Sequence, residues 1–164
     1  MQGMKNMNNN NQHKVYTDQL ILFIGMFFIA LIFDMMNVMV NSVNDLYLSK
    51  PLICSSLYMA STMLWGHQII HYIQTGRTHF NTTIFFIGVI MSLIFICILR
   101  YQIFFSYKDW IKGMIPHHSM AVTTTKNILE KESVLENENN YIYRLAKDIV
   151  YTQEREIIFM KNML

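Results

Sequence analysis

The sequence predicts an all-α protein in which a three-helix transmembrane bundle precedes an amphipathic helical hairpin. One observation is the segregation of charge: of the 24 charged residues, 2 lie in residues 1–17, 6 in 18–100 and 16 in 101–164. The other is a change of pattern, because the charge-poor stretch holds three long apolar runs and the remainder repeats apolar residues at helical spacing. The predicted domains are a disordered polar tail (1–17), membrane helices (18–102) and a soluble hairpin (103–164).

Composition excludes several classes of protein. Hydrophobic residues make up 52% of the chain and charged residues only 15%, whereas an ordinary soluble domain has about 25% charged residues. A net charge of +2 excludes a nucleic-acid binder driven by charge. Cys54 and Cys97 are too few for a disulfide framework or a four-thiolate zinc site. The tail has an asparagine run and no apolar period, which is typical of disorder.

Three apolar runs are long enough to cross a bilayer as helices. They are Leu20–Val40, Pro51–Ile73 and Thr82–Leu99, with 21, 23 and 18 residues, and the third helix is expected to end at Arg100. A hydrocarbon core about 30 Å thick needs roughly 20 helical residues. Short connections predict an up-down-up bundle with the two termini on opposite sides of the membrane. The positive charges alone leave the orientation open.

From Tyr101 onward the pattern is that of amphipathic helices. Pro116 is expected to kink or restart the first helix, because proline lacks the amide hydrogen that a helix interior needs. The polar stretch Glu136–Asn140 predicts a turn, and a second helix is expected from about Tyr141 to Leu164. A hairpin of this size rarely has enough core of its own, so a metal, a partner or self-association is expected to help it.

Candidate metal-binding side chains cluster in the first hairpin helix: Met114, His117, His118 and Met120. The second hairpin helix offers further donors at three- and four-residue steps: Glu156, Met160 and Met163. If the two faces meet, imidazole, thioether and carboxylate groups converge, a set that suits copper better than magnesium or calcium. Methionine is also the common gap filler of protein cores. The spacing therefore leaves two interpretations open, a metal site and core packing.

The segment Met114–Val122, Met-Ile-Pro-His-His-Ser-Met-Ala-Val, resembles the signature of the family called domain of unknown function 305. Leu145–Ile149 and the following Gln153, Glu156 and Met160 match the second half of that signature.

The upstream region is similar to the membrane-anchored branch of that family, in which three transmembrane helices precede one hairpin. Tyr58-Met59-Ala60 and the Arg100-Tyr-Gln102 step carry this likeness. One departure is Tyr107, which stands where the family often has an aspartate, seven residues before Met114.

This resemblance implies a ferritin-like helical fold, of which one hairpin is half of a four-helix bundle, and an association with copper. It implies an extracytoplasmic hairpin and a cytoplasmic N-terminus. It also implies a metal-handling role for six residues: Met114, His117, His118, Met120, Glu156 and Met160.

Two histidines in the second predicted span, His67 and His71, are one helical turn apart. Ionisable groups at membrane depth are functional candidates, so both, together with Met163, are secondary metal candidates. The alternative is that the two histidines lie near the membrane interface, beside Trp65 and Tyr72.

The sequence thus predicts a multi-pass membrane protein whose extracytoplasmic hairpin binds a soft metal ion, copper, for sequestration or handover without a catalysed reaction. Its expected partners are the lipid bilayer, the metal ion and a second copy bound through the hairpin, with no nucleic acid. The alternative function is a membrane-anchored interaction or oligomerisation module without metal. A metal-dependent oxidoreductase is the weakest reading, because neither His117 nor His118 follows a glutamate by three residues as in di-iron sites.

Overall fold

The computed structural model describes residues 2–76, 79–131 and 141–164. Within these ranges the chain is helical throughout its regular structure, which confirms the all-α class. The helices are α1 (Gln2–Ile32), α2 (Met35–Val38), α3 (Lys50–Thr75), α4 (His79–Arg100), α5 (Tyr107–Lys131) and α6 (Tyr141–Asn162), with a 3-10 turn at Val43–Asp45. The turn predicted at Glu136–Asn140 lies outside the described residues.

The chain divides into two compact units. The apolar unit comprises residues 1–31 and 54–103, and the hairpin unit comprises residues 32–53 and 104–164. From the sequence, the segment before α3 is only the end of one span and a short polar connection. In the structure it is part of the same unit as the hairpin.

The first apolar run is not one helix. α1 ends at Ile32, and Asp34 then caps α2 by accepting a 3.0 Å hydrogen bond from the Met36 amide. A side-chain acceptor at this position replaces a bond that the helix start lacks. At its other end α1 begins at Gln2, within the segment predicted as a disordered tail. Propagating a helix costs less than nucleating one, so the apolar helix extends into its polar neighbour.

α3 carries the polar residues of the apolar unit. Ser61 and Gln68 are 0% and 3% exposed. Gln68 Nε2 donates a 2.9 Å hydrogen bond to Gln19 Oε1 of α1, and Trp65 Nε1 donates a 3.1 Å bond to Ser92 Oγ of α4. α3 therefore makes side-chain hydrogen bonds to both other long helices of this unit.

Two segments of the described chain are long and apolar enough to cross a membrane, Tyr16–Val38 and Asn81–Arg100. Only 0% and 17% of their most apolar windows are buried within the protein. α3 does not reach the same hydropathy, because its serines, Gln68 and two histidines interrupt the apolar residues. Two of the three predicted spans therefore pass this test among the described residues, and the three-helix membrane bundle stays a prediction.

The hairpin unit has its core between α5 and α6. The core residues are Ile111, Ile115, Val122, Ile157 and Met160. α5 runs through Pro116 without the predicted restart.

A buried polar network fixes the segment before α3 to the hairpin. The Asp45 side chain, only 5% exposed, lies 2.5 Å from Lys161 Nζ of α6. Ser119 Oγ of α5 donates a 2.5 Å hydrogen bond to the other Asp45 oxygen and accepts a 2.8 Å bond from the Asn41 amide. Each of these groups has a partner of opposite polarity, which makes burial of the carboxylate tolerable.

A second contact joins this segment to the start of α5. The Asp109 carboxylate accepts hydrogen bonds from the hydroxyl and the amide of Ser106 at 2.7 and 3.0 Å, and it lies 2.9 Å from Lys50 Nζ. Ser106 Oγ in turn accepts from the Asp109 amide, which completes a reciprocal helix cap. The Ser106 hydrogen bonds, with the nearby Lys50 ammonium, lower the pKa of Asp109 to about 2.

The close approach of α4 to α3 gives one test of the apolar unit. A Cβ atom on Gly88 would lie 3.0 Å from both the Cβ and the backbone nitrogen of Trp65. We expect Gly88→Ala to lower the free energy of unfolding in detergent by about 1–3 kcal/mol, the usual cost of overpacking. Gly25→Ala is the matched control, because no atom lies within 4 Å of its added methyl. Equal melting temperatures for the two variants would contradict this packing.

The Asp45 network gives a second test. We expect Lys161→Met to lower the free energy of unfolding by about 3 kcal/mol, because it leaves the buried Asp45 carboxylate without its counter-ion. Lys126→Met is the control: its partner Glu154 is 45% exposed, so its loss should cost at most about 1 kcal/mol. Chemical denaturation of both variants measures the difference. A similar small loss for both would show that the Asp45 pair does not hold this segment in place.

Candidate metal centre

His118 lies between α5 and α6 with both ring nitrogens engaged. Nδ1 is 2.8 Å from the carbonyl oxygen of Met114, one turn earlier on α5. Nε2 is 2.9 Å from Glu156 Oε2 of α6. The His118 side chain is 13% exposed and that of Glu156 is 49% exposed, so this pair lies at the edge of the hairpin core and is open to solvent on the Glu156 side.

The Met114 carbonyl determines which nitrogen of the His118 imidazole carries a hydrogen. A carbonyl oxygen only accepts, so Nδ1 must carry a hydrogen and donate it. Nε2 is then the nitrogen that faces Glu156, either protonated in an ion pair or with its lone pair free for a metal. A backbone carbonyl behind Nδ1 is the usual support of a metal-binding histidine, because it fixes the tautomer and the ring orientation.

Gln153 supplies a further oxygen one turn before Glu156. Its Oε1 atom is buried and has no hydrogen-bond partner among the described residues. A buried acceptor without a partner is costly and requires an explanation such as an unseen water or ion. Gln153 and Glu156 are three residues apart on α6, so they lie on neighbouring parts of one face.

The thioethers divide between the core and the surface. Met160 is part of the core cluster and Met114 packs against that cluster, so the core-packing interpretation describes the contacts of both. Met163, directly after the end of α6, is 48% exposed. Met120 is partly exposed and lies two residues, about 200° around the helix, from His118, so its side chain leaves α5 on another side.

His117 is exposed, and its ring centroid lies 5.9 Å from that of His118 at an angle of 66°. Adjacent helical residues point about 100° apart. Because Pro116 does not interrupt α5, both histidines keep this helical separation, and only His118 contacts Glu156.

Within the described part of the chain, no three His, Cys, Asp or Glu side chains converge as metal ligands do. His118 and Glu156 are two candidate donors in contact across α5 and α6. The donors three or four residues from them in the chain are the softer thioethers of Met114 and Met160 and the amide oxygen of Gln153. This donor set fits copper, which accepts imidazole, thioether and oxygen ligands. Further ligands would have to come from thioethers, solvent or a second molecule.

His67 and His71, the secondary metal candidates, lie in the apolar unit. His71 Nδ1 is 2.7 Å from Asn81 Nδ2 of α4, and His67 Nδ1 is 3.4 Å from Gln68 Nε2.

Asp109 is the aspartate nearest to the family position that Tyr107 occupies. It takes part in the cap of α5 and in the contact of α5 with Lys50. It is nine residues from His118, about 13 Å along the helix.

The sequence did not point to Asp45 or Lys161, which fix the segment before α3 to the hairpin. Ser119, inside the signature segment, was a usable signal, because a serine among core positions of a helix requires a partner. Nothing in the sequence identifies that partner as Asp45, 74 residues away.

Comparisons with known proteins agree with these elements. Residues 106–164, which span α5 and α6, match the family "Domain of unknown function (DUF305)". The chain is 30% identical over 138 residues to "Uncharacterized protein L153" of Acanthamoeba polyphaga mimivirus, covering 84% of this chain and 85% of the relative. No solved structure matches the chain. The hairpin, residues 106–164, is therefore a DUF305 domain, and the viral relative is similar to this chain along most of its length.

Proposed function

We propose that this chain is a membrane-anchored, multi-pass protein whose hairpin unit binds a soft metal ion, copper, for sequestration or handover without a catalysed reaction. His118 and Glu156 hold the ion, and Gln153 and the thioethers of Met114 and Met160, each three or four residues away along the same helices, are the further candidate donors. The N-terminus is cytoplasmic and the hairpin unit extracytoplasmic, as the family resemblance implies.

The single observation that carries the metal proposal is the His118 arrangement. Its Nδ1 donates to the Met114 carbonyl while Nε2 points at the Glu156 carboxylate, 2.9 Å away. A proton between these two atoms makes an ion pair, and a metal that replaces the proton is bound by the same two atoms after a small separation. Metal binding is therefore a competition with a proton, and copper affinity falls in acid.

The organisation of the hairpin unit supports three membrane crossings. Residues 32–53 and 104–164 form one compact unit, so they lie on the same side of a bilayer. The chain between them must then cross an even number of times. Because α4 has the length and hydropathy of a span, α3 has to cross as well. Its hydrogen bonds to Gln19 and Ser92 satisfy polar groups that lipid cannot.

The exposure of the candidate spans supports a membrane anchor. Their most apolar windows are 0% and 17% buried within the protein, whereas the core helix of a soluble protein is mostly covered. Large side chains such as Ile21, Phe28 and Leu93 are 63%, 53% and 58% exposed. Lipid would cover this surface.

A second candidate function is a membrane-anchored interaction module without metal. It is favoured by the packing of Met160 in the core and by the exposed apolar residues of α6, among them Leu145 and Phe159 at 60% and 66%. The two candidates differ in whether His118 and Glu156 bind copper.

Copper titration tests the metal proposal directly. The full chain in detergent should compete with a chromogenic chelator for Cu(I), and His118→Ala should lower its affinity more than about tenfold, since even the loss of an outer partner costs about 10–100-fold. Glu156→Gln should weaken binding too, because it removes the anionic oxygen. The control is His67→Ala, which removes a histidine of the apolar unit.

Wild-type protein that does not compete with the chelator would refute the metal proposal. So would equal affinities of wild type and His118→Ala. A loss in His67→Ala alone would move the site to the apolar unit.

Side-specific labelling tests the topology. Single cysteines at Val43 and Tyr141, both strongly exposed at 78% and 85%, are introduced after Cys54 and Cys97 are replaced by serine. Both should react with a membrane-impermeant maleimide from the same side of intact cells, and a cysteine at Gln74, at the end of α3, should react only after lysis. Labelling of all three positions from one side would show that α3 does not cross.

A further inference from the structure

Three large aromatic side chains of the hairpin unit are exposed where the chain enters α5: Phe104, Tyr107 and Trp110. They are 83%, 67% and 51% exposed, respectively. Phe104 lies in the connection before α5, and Tyr107 and Trp110 are three residues apart in the first turns of this helix. Residues at that spacing are neighbours on one face of a helix. We call these three side chains the aromatic edge.

Phe104 has an unfavourable backbone conformation. Its φ is +67°, in the left-handed region, where the Cβ atom of a bulky residue crowds the backbone. Lys50 Nζ donates a 3.4 Å hydrogen bond to the Phe104 carbonyl oxygen, which helps to hold this conformation. The side chain nevertheless lies at the surface, so contacts within the described chain cover little of its ring. Strain of this kind occurs mainly at functional positions, which suggests a partner outside the chain for this ring.

The aromatic edge begins four residues after a candidate membrane span. That span ends at Arg100, the last residue of α4. The Ile103 amide donates a 3.0 Å hydrogen bond back to the Ile98 carbonyl oxygen, so the chain closes the end of α4 and does not extend away from it. Phe104 is the next residue, and consecutive Cα atoms are about 3.8 Å apart. In the proposed topology, Phe104 therefore lies where α4 leaves the bilayer.

Lys50 connects the aromatic edge to a second helix that crosses the bilayer in the proposed topology. It is the first residue of α3, and its ammonium group contacts both the Phe104 carbonyl and, at 2.9 Å, the Asp109 carboxylate. The start of α3 and the start of α5 therefore meet beside the edge. Lys50 also balances the charge of Asp109, so this carboxylate does not oppose contact with lipid headgroups.

The chemistry of the edge fits the headgroup region of a bilayer. Tryptophan and tyrosine combine an apolar ring with one polar group, and both are enriched at this level of membranes. A lysine such as Lys50, 56% exposed, has an apolar stem and a charged end that suit the same level. The headgroup region is about 5–8 Å deep on each side of the hydrocarbon core. Trp110 lies about 4.5 Å along α5 from Tyr107, so the edge is no longer than this region is deep.

We infer that the aromatic edge inserts into the headgroup region of the bilayer and holds the start of α5 at the membrane surface. Lipid is the occupant because the edge follows a candidate span directly in the chain. Insertion covers the ring that the strained backbone of Phe104 leaves exposed. The inference rests on the membrane anchoring of the proposed function and not on copper binding.

The two tryptophans of the chain provide a test without an added label. Trp65→Phe leaves Trp110 as the reporter of the edge, and Trp110→Phe leaves Trp65, near the middle of α3, as the reporter of the spans. The full chain is reconstituted in phosphatidylcholine vesicles brominated either near the headgroup or near the chain ends. Trp110 should be quenched more by bromine near the headgroup, and Trp65 more by bromine near the chain ends. The emission that wild type loses in Trp110→Phe gives a second measure of Trp110 in a chain that keeps Trp65.

Removal of the other two rings tests whether the edge acts as one surface. Added to Trp65→Phe, the changes Phe104→Gly/Tyr107→Ser should remove most of the quenching of Trp110 by bromine near the headgroup. The melting temperature in detergent should not fall, because glycine adopts the left-handed conformation at position 104 without strain. A ring with only a structural role would show the opposite pattern, a lower melting temperature and unchanged quenching.

The matched control removes two exposed side chains at the other end of the hairpin. Tyr141 and Ile142 begin α6 and are 85% and 62% exposed. Tyr141 lies fifteen residues before Glu156, the contact of His118 on α6. Trp110 lies eight residues before His118 on α5. Because the two helices run in opposite directions, these lengths add to about 35 Å along the hairpin, and Tyr141→Ser/Ile142→Ser should leave the quenching of Trp110 unchanged.

The outcomes separate this inference from the proposed function. Quenching of Trp65 without quenching of Trp110 would overturn the inserted edge and leave the membrane anchor intact. Absence of quenching for both tryptophans would overturn the anchor and the edge together. A Trp110 that is shielded from acrylamide but not quenched by brominated lipid would show that protein covers the edge, and would overturn lipid as its occupant. Quenching that survives Phe104→Gly/Tyr107→Ser, or that falls equally in the control, would overturn the edge as a surface.

Discussion

The buried carboxylate of Asp45 is the interaction on which the hairpin unit depends. A charge that is 5% exposed must have partners, and Lys161 and Ser119 supply them from two different helices. This attaches the segment before α3 to α5 and α6 and covers one side of the hairpin. The membrane topology we propose follows from that attachment.

The same rule on buried polar groups organises the apolar unit. α3 is less apolar than its neighbours because it carries the groups that bond to them, such as Gln68 with Gln19 and Trp65 with Ser92. Such a helix has a low mean hydropathy, because a hydropathy scale gives a polar residue the same value whether or not its side chain is hydrogen-bonded. Gly88 then allows α4 to approach α3 closely enough for the Trp65–Ser92 contact.

The methionine content is informative only after it is sorted by position. Ten of the 14 methionines lie in the tail or in the predicted apolar runs, where thioethers serve as ordinary filling. Of the four in the hairpin, Met160 is in the core and Met114 packs against it. The stronger sign of metal chemistry is the His118–Glu156 pair, supported by the Met114 carbonyl and by the Gln153 oxygen, which has no partner among the described residues.

By itself the sequence determined the helical class, the separation of apolar and charged regions and the family signature around His117 and His118, because helical period and local motifs depend on residues close together in the chain. It failed where distant residues meet: it treated residues 41–50 as a plain connection and did not relate Asp45 to Ser119. Only the tertiary structure decided that His118 rather than His117 contacts Glu156 and that Ser119 and Lys161 turn towards Asp45. Those outcomes depend on the rotation of α5 and α6 about their axes, which is fixed by packing of the whole unit and not by local spacing.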